Sequence, residues 1–230
     1  MKKVSLLAGL AAVIFANSSV AGVDRVYDPY VEQGEKEVEV RGVHNLTGDT
    51  FHEVKMGGGY GVNSHWFVEG YLNAQKENDG GDLKIKEAEL ESKFQLSEQG
   101  EYWADFGMLV ELERSLEHDV WELRTGPVMQ KQFGDFVATA NIMFEKTFGG
   151  EEEESEMETQ GAFQLKYRLS EALEPALEYY TDDDTQALGP VLLGANRLGQ
   201  NKVKWELGVL FGMDKKTEDA TLRWQVEYEF

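Results

Sequence analysis

The sequence predicts an all-β fold, a transmembrane antiparallel up-and-down β-barrel of about twelve strands with periplasmic termini. Three observations predict it: period-2 alternation along almost the whole chain, an apolar leader at the N-terminus, and an aromatic, strand-like C-terminal ending. Bulk composition points elsewhere. The 230 residues hold 43 Asp+Glu against 22 Lys+Arg, a formal net charge of -21, and the mean hydropathy is -0.46. Those values exclude a bundle of membrane-spanning helices. The acid excess excludes nucleic acid as a partner, because phosphate binding needs clustered Lys and Arg. With no cysteine there is no disulfide framework, thiolate metal site, cysteine nucleophile or lipoprotein anchor.

The first element is a leader, residues 1–21. Lys2 and Lys3 precede an apolar stretch from Val4 to Ala16, and Ser19 and Ala21 stand at the spacing that a signal peptidase accepts. The apolar run is shorter than the roughly 20 residues of a membrane-spanning helix. The chain is therefore expected to be exported, with residues 22–34 a periplasmic lead-in or lumen segment and 35–230 the barrel.

Alternation then marks the strands in turn. One uncharged parity runs through Val54, Met56, Gly58 and Tyr60, then Trp66 to Ala74, Ala88 to Phe94, and Tyr102 to Leu112. The parity switches for Trp121, Leu123, Thr125, Pro127 and Met129. It switches back for Phe136 to Phe144, and again for Gly161 to Tyr167, Leu173 to Tyr179 and Val203 to Phe211. Leu222, Trp224, Val226, Tyr228 and Phe230 close the chain. The intervening positions carry the charges. Strands near Glu37–Val43 and Ala187–Gly194 bring the number to twelve. Alternation means strands with one wet face. Runs of about 9–12 residues match tilted membrane strands better than soluble ones.

The connections support this orientation. Those after odd-numbered strands are Gly- and acid-rich, and one carries Glu151 to Glu154 in a row, with Glu156 and Glu158 close behind. Those after even-numbered strands include tight turns at 62–65, 131–135 and 170–172. Long outer and short periplasmic connections are the outer-membrane habit; residues 195–202 are the exception. Aromatics fall where interfacial girdles belong: Trp66, Tyr60, Tyr102, Phe94 and Phe136 near the periplasmic turns, Trp121 and Phe144 near the outer ends. Pro127 and Pro190 sit inside strands, each in Gly-Pro-Val, and a β-bulge is expected at both. The strand near 187–194 is the hardest to phase, since Leu188, Leu192 and Leu193 share no parity.

The C-terminal Trp224-Gln225-Val226-Glu227-Tyr228-Glu229-Phe230 resembles the β-signal of bacterial outer-membrane proteins, which implies recognition of Trp224, Val226, Tyr228 and Phe230 by barrel assembly machinery after escort by periplasmic chaperones. With the leader and the alternation, the mature chain resembles small Gram-negative outer-membrane barrels of the porin or transporter-like type. Leu188-Gly189-Pro190 and Lys204 to Gly212 (KWELGVLFG) are loosely similar to barrels of phenol-degradation and hydrocarbon-uptake pathways.

Parity places the chemistry in the lumen. Glu87, Glu89, Glu91, Asp105, Glu111, Glu122, Glu145, Glu178, Glu206 and Glu227 are the expected lumen acids, with Lys93, Arg124, Lys166, Arg168, Lys204 and Arg223 balancing them. Acid rings concentrate cations. The expected function is passive, cation-leaning passage of small solutes through an outer-membrane channel, with no cofactor. One alternative is a non-conducting structural barrel that binds lipopolysaccharide or a partner through its acidic loops; on either reading outer-membrane lipid is an expected partner of the wall. Another is an outer-membrane lipid hydrolase using His52. The hydrolase lacks an evident serine partner, so the chain is not expected to be an enzyme. His44, His52 and His118 follow no metal-ligand spacing, so no metal is expected there, and the run Glu151–Glu154 reads as a solvated loop tip. Gly57 to Gly61 is not a phosphate loop, because neither Lys-Ser/Thr nor a helix follows it. Glycine there suits curvature or room beside an aromatic ring.

Overall fold

A computed structural model of the chain describes residues 22–48, 51–77, 81–150 and 157–230. The leader at 1–21 and the acids Glu151–Glu154 and Glu156 lie outside the described residues. Twelve strands follow one another: β1 (Lys36–Asn45), β2 (Phe51–Asn63), β3 (Trp66–Glu77), β4 (Lys84–Gln95), β5 (Asp105–Ser115), β6 (Val120–Phe133), β7 (Phe136–Gly149), β8 (Glu158–Tyr167), β9 (Glu174–Thr181), β10 (Gln186–Leu198), β11 (Asn201–Gly212) and β12 (Ala220–Glu229). Each pairs antiparallel with its sequence neighbours, and β1 pairs with β12 to close the barrel. Closure removes both sheet edges, which a bilayer requires because it offers no water to unpaired backbone groups.

Alternation sorts the side chains as the period-2 pattern predicts. Val38, Met56, Leu72, Leu90, Met108, Leu123, Ile142, Phe163, Leu177, Leu192, Leu207 and Val226 are all exposed, one from each strand. A continuous belt of this kind is far larger than the apolar patches that water-facing proteins tolerate. It is the lipid-facing band of a membrane barrel. Strand ends carry aromatic pairs, Trp66 stacked on Phe94 and Phe136 tilted against Tyr167.

Three turns are two residues long: 64–65, 134–135 and 199–200. Gly134 and Gly199 take φ of 63° and 70° there, a backbone region that a side chain disfavours. The turn at 199–200 corrects the long connection expected over 195–202. Strands β10 and β11 continue pairing to Leu198 and Asn201, hidden in the sequence by polar residues on both faces. The two-residue turns share one rim with Lys36 and Phe230, whose N–H donates to the Lys36 carbonyl (2.9 Å). This is the periplasmic rim on the sequence reading. It also carries the longer connection 96–104, so Tyr102 and Ala104 precede β5. Leu173 likewise precedes β9, and Arg168 follows β8.

The two Gly-Pro-Val sites do not form the expected bulges. Thr125 pairs with Phe144 and Val128 with Asn141, in one register; Leu188 pairs with Phe211 and Val191 with Gly208, again in one register. Each ladder lapses for two residues on one side only, while Pro127 still faces Met108 and Pro190 faces Leu177 across the other. A bulge is unnecessary because glycine lets the neighbouring strand close over the gap. A Cβ at Gly126 would overlap the Ile142 carbonyl oxygen, and one at Gly189 that of Val209. Gly126→Ala and Gly189→Ala are therefore expected to impair barrel closure. The check is heat-modifiability in a detergent gel: the unheated variants should lose most of the fast-migrating folded band that the wild type shows.

Candidate functional site: the lumen and its N-terminal plug

The residues that organise the interior precede the first strand. Gly22 lies against Asp182 and Thr185, in the connection between β9 and β10 at the outer rim. Gly34 lies at the other rim, its N–H donating to the Gly61 carbonyl (2.8 Å). Residues 22–34 thus thread the barrel from end to end. Lys36 and Phe230 share a rim as the expected topology requires, but the described chain before β1 continues to the opposite one.

Extended backbone inside a barrel needs hydrogen-bond partners. Asn141 supplies two: its Oδ1 accepts from the Tyr27 N–H (2.7 Å) and its Nδ2 donates to the Tyr27 carbonyl (2.9 Å). Gln95 accepts from the Val31 N–H (2.9 Å). Gly107 leaves room for Pro29, whose Cα would stand 3.0 Å from a Cβ there. Substituting Asn141→Ala leaves both Tyr27 backbone groups without these partners and is expected to cost the segment about 1–3 kcal/mol. Faster proteolysis within 22–34 in the folded barrel would register that loss; an unchanged rate would refute the anchoring role.

Charge pairing does the rest. Asp24 meets Arg41 (3.1 Å), Arg124 (3.5 Å) and Lys55 (3.9 Å). Arg25 donates to Glu39 (2.7 Å), which also accepts from Arg41 (3.0 Å) and Gln225 (2.6 Å). The Tyr27 hydroxyl donates to Glu91 (2.8 Å) and that of Tyr30 to Asp105 (2.7 Å). Two apolar patches complete the seat: Val23 packs with Val191, Leu193, Tyr180 and Leu210, and Tyr27 with Leu109, Val128 and Met143. This explains why the tenth strand resists phasing. Its inner face carries Ala187, Val191 and Leu193 rather than charge, because Val23 covers it.

The expected lumen residues lie as follows. Glu89, Glu91, Asp105, Glu111, Glu178, Arg223 and Glu227 are buried on the inner face. Lys93 stands 3.7 Å from Asp28, and Arg124 pairs with Glu111. Glu178 receives two bonds from Arg223 (both 2.7 Å), one from Tyr180 (2.8 Å) and one from Gln164 (2.7 Å); Arg223 also reaches Glu206 (2.6 Å). Gln160 donates to Glu145 (2.6 Å) and Gln75 to Glu87 (3.0 Å). Glu122 faces Glu113 across β5 and β6. Toward the periplasmic rim Lys204 pairs with Glu227 (2.8 Å) and Lys166 with Glu174 (2.8 Å), whereas Arg168 is exposed on its turn. Burial pushes the rim carboxyl of Glu35 up to about 7 against the pull of Lys204, with Glu229 adding to the rise. Parity passed over the inward Glu37, Glu39 and Arg41 of β1, although they alternate with Val38, Val40 and Gly42. Lys55 and Glu69 fall on the charged parity but are not among the expected lumen residues, and neither are Tyr71 and Glu113. Gly57 and Gly59 make room for the inward rings of Tyr71 and Phe67.

Below the plug, toward the periplasmic rim, opens a polar cavity of about 1140 Å³ lined by Arg25, Glu37, Glu69, Lys93, Lys204 and Glu227 among others. A small cavity of about 30 Å³ also lies beside the segment among Gly22, Asp24, Arg124 and Tyr180.

The histidines lie elsewhere. His44 and His52 face each other across β1 and β2 on the outer surface of the wall. The Trp224 indole N–H donates to His44 Nε2 (2.7 Å), so His44 carries its proton on Nδ1 and donates it to His52 Nδ1 (3.0 Å). That tautomer leaves His44 no free lone pair for a metal. His118 is apart from them, in the connection 116–119. Ser64 does contact His65 (2.7 Å), and Glu98 stands 3.6 Å from that ring, but all three are exposed at the periplasmic rim with nothing to exclude water.

No protein-family model and no curated protein matches the chain. Solved structures do. The COG4313 outer membrane channel from Pseudomonas putida F1 superposes with a TM-score of 0.60 at 12% identity, covering 90% of this chain and 100% of that one. The chain has the fold of an outer-membrane channel. An anion-selective porin from Comamonas acidovorans (TM-score 0.37, 8% identity, 85% and 97% covered) and a BenF-like porin from Pseudomonas fluorescens Pf-5 (0.31, 8%, 87% and 99%) also match, too distantly to add to that. At such identity the shared property is architecture.

Proposed function

We propose that this barrel is an outer-membrane channel for small solutes, cation-leaning when open, and held nearly shut by its own residues 22–34. The observation that carries this reading is the acidic ladder that the plug covers. Glu69 faces Glu91 across β3 and β4, and Glu91 faces Glu111 across β4 and β5. Like charges directly opposed are destabilising. The plug offsets them with Arg25 on neighbouring Glu39 and the Tyr27 hydroxyl on Glu91. A lumen from which the segment withdraws would present this ladder to passing ions and attract cations. The 1140 Å³ cavity is then the periplasmic vestibule of the pathway. Outer-membrane lipid surrounds the apolar belt, and Trp224, Val226, Tyr228 and Phe230 serve the assembly machinery during insertion.

The passage of residues 22–34 through the whole lumen supports the rival reading, a silent structural barrel that holds lipopolysaccharide or a partner. Reconstitution of the intact barrel in a planar bilayer under a KCl gradient separates them. Discrete openings with a reversal potential on the potassium side are expected; a barrel that stays silent at high protein load and high voltage would favour the structural reading.

A further inference from the structure

We infer that Lys76, Lys86, Arg114 and Lys146, with Trp121 among them, form a site on the outside of the wall for the phosphate-bearing headgroup of an outer-leaflet glycolipid. The chain holds 43 Asp+Glu against 22 Lys+Arg, yet among the described strand residues no Asp or Glu takes the lipid-facing parity. The charges that do take it are all basic and stand near strand ends. Lys36 and Lys131 lie toward the periplasmic rim, and the four residues of the site lie toward the outer one.

These four belong to neighbouring strands β3, β4, β5 and β7, and Trp121 of β6 faces Arg114 on one side and Phe148 on the other. The Arg114 guanidinium lies over the Trp121 ring, 5.0 Å from its centroid. Lys76, Lys86 and Lys146 each stand four residues, about 13 Å along the strand, outward of Leu72, Leu90 and Ile142 in the exposed apolar belt. That places them at headgroup level. A basic residue near the interface costs a barrel little, and its long stem can reach water, which accounts for a lone lysine. It does not account for the grouping. On the same parity the outer ends of β8, β9, β10 and β12 carry Thr159, Thr181, Gln186 and Ala220, with no charge.

Cations confined to one sector, directly above an apolar wall, match a ligand with acyl chains below and phosphates above. Arg suits phosphate through its paired N–H groups, and basic residues close to a membrane surface attract anionic lipid. From β3 to β7 the site spans four strand spacings, roughly 19 Å, enough for one phosphorylated disaccharide. Lys86 is shared with Glu117 of the connection 116–119, for which a phosphate competes. The site rests on the outer-rim orientation used above but not on conduction.

Native mass spectrometry of the full-length barrel, refolded in neutral detergent and titrated with bisphosphorylated lipid A, tests the site. One lipid should stay bound. Dephosphorylated lipid A should bind far more weakly, and inorganic phosphate at the same concentration should not displace the lipid. Lys76→Gln, Arg114→Gln and Lys146→Gln together should weaken binding at least about tenfold, in a variant that still shows the heat-modifiable folded band. Lys36→Gln with Lys131→Gln should leave it unchanged. The inference fails if the dephosphorylated lipid binds equally well, if the folded triple variant binds as the wild type does, if the periplasmic pair proves to hold the lipid, or if the barrel retains a second copy of itself in place of lipid.

Discussion

Deleting residues 23–33 is expected to raise single-channel conductance several-fold and to shift the reversal potential further toward cations. The intact segment crosses the whole lumen from Gly22 at the outer rim to Gly34 at the other, with a cavity of about 1140 Å³ on its periplasmic side. Its removal takes away Arg25 and Tyr27, the two plug side chains that donate to Glu39 and Glu91, and with them the local offset of the acid ladder. A twelve-stranded wall lies between the filled eight-stranded and the open sixteen-stranded cases, so the emptied interior is wide enough for hydrated ions. All twelve strands pair without the segment, so the deletion variant should still show a heat-modifiable band, at lower stability because Val191, Leu193 and Tyr180 lose Val23. Equal conductance in the folded deletion variant and the intact barrel would remove the plug from the mechanism.

Glu178→Ala is expected to be the most destabilising single change to a charge, about 3–5 kcal/mol by urea unfolding in detergent or lipid. Glu178 is fully buried and accepts four hydrogen bonds, two of them from Arg223, itself only 2% exposed. Removing the carboxylate strands most of a buried guanidinium's charge, with Glu206 alone left to compensate. The cost comes from the orphaned partner, so Glu178→Leu with Arg223→Met should recover a large part of it. A single variant within about 1 kcal/mol of wild type would show that water reaches this pair freely.

Much of the fold was legible in the sequence because membrane strands obey a strict local rule. Each residue faces lipid or interior according to parity, and the two environments reject opposite chemistries. Leu222, Trp224, Val226 and Tyr228 could therefore be assigned outward from the last strand alone. The rule fails where the interior is not uniformly wet. Ala187, Val191 and Leu193 face inward and are apolar, so the tenth strand carries no contrast to read. It also fails at the Gly-Pro-Val sites, where the response to a lost backbone donor depends on how closely the next strand's carbonyl approaches.

The sequence by itself determined a twelve-stranded barrel, its lipid-facing belt and which charged residues share a face, because these follow from period 2 along one strand at a time. Only the tertiary structure decided which of those charges meet, and what fills the space between them. Residues 22–34 have no periodicity of their own. Their place is set by Asn141, Glu39, Glu91, Arg41 and Val191, on strands far apart in the chain that come together only when β1 closes on β12. Closure turns a list of inward acids into an acidic ladder. The plug, two residues of which offset that ladder, fits nowhere but inside the closed wall.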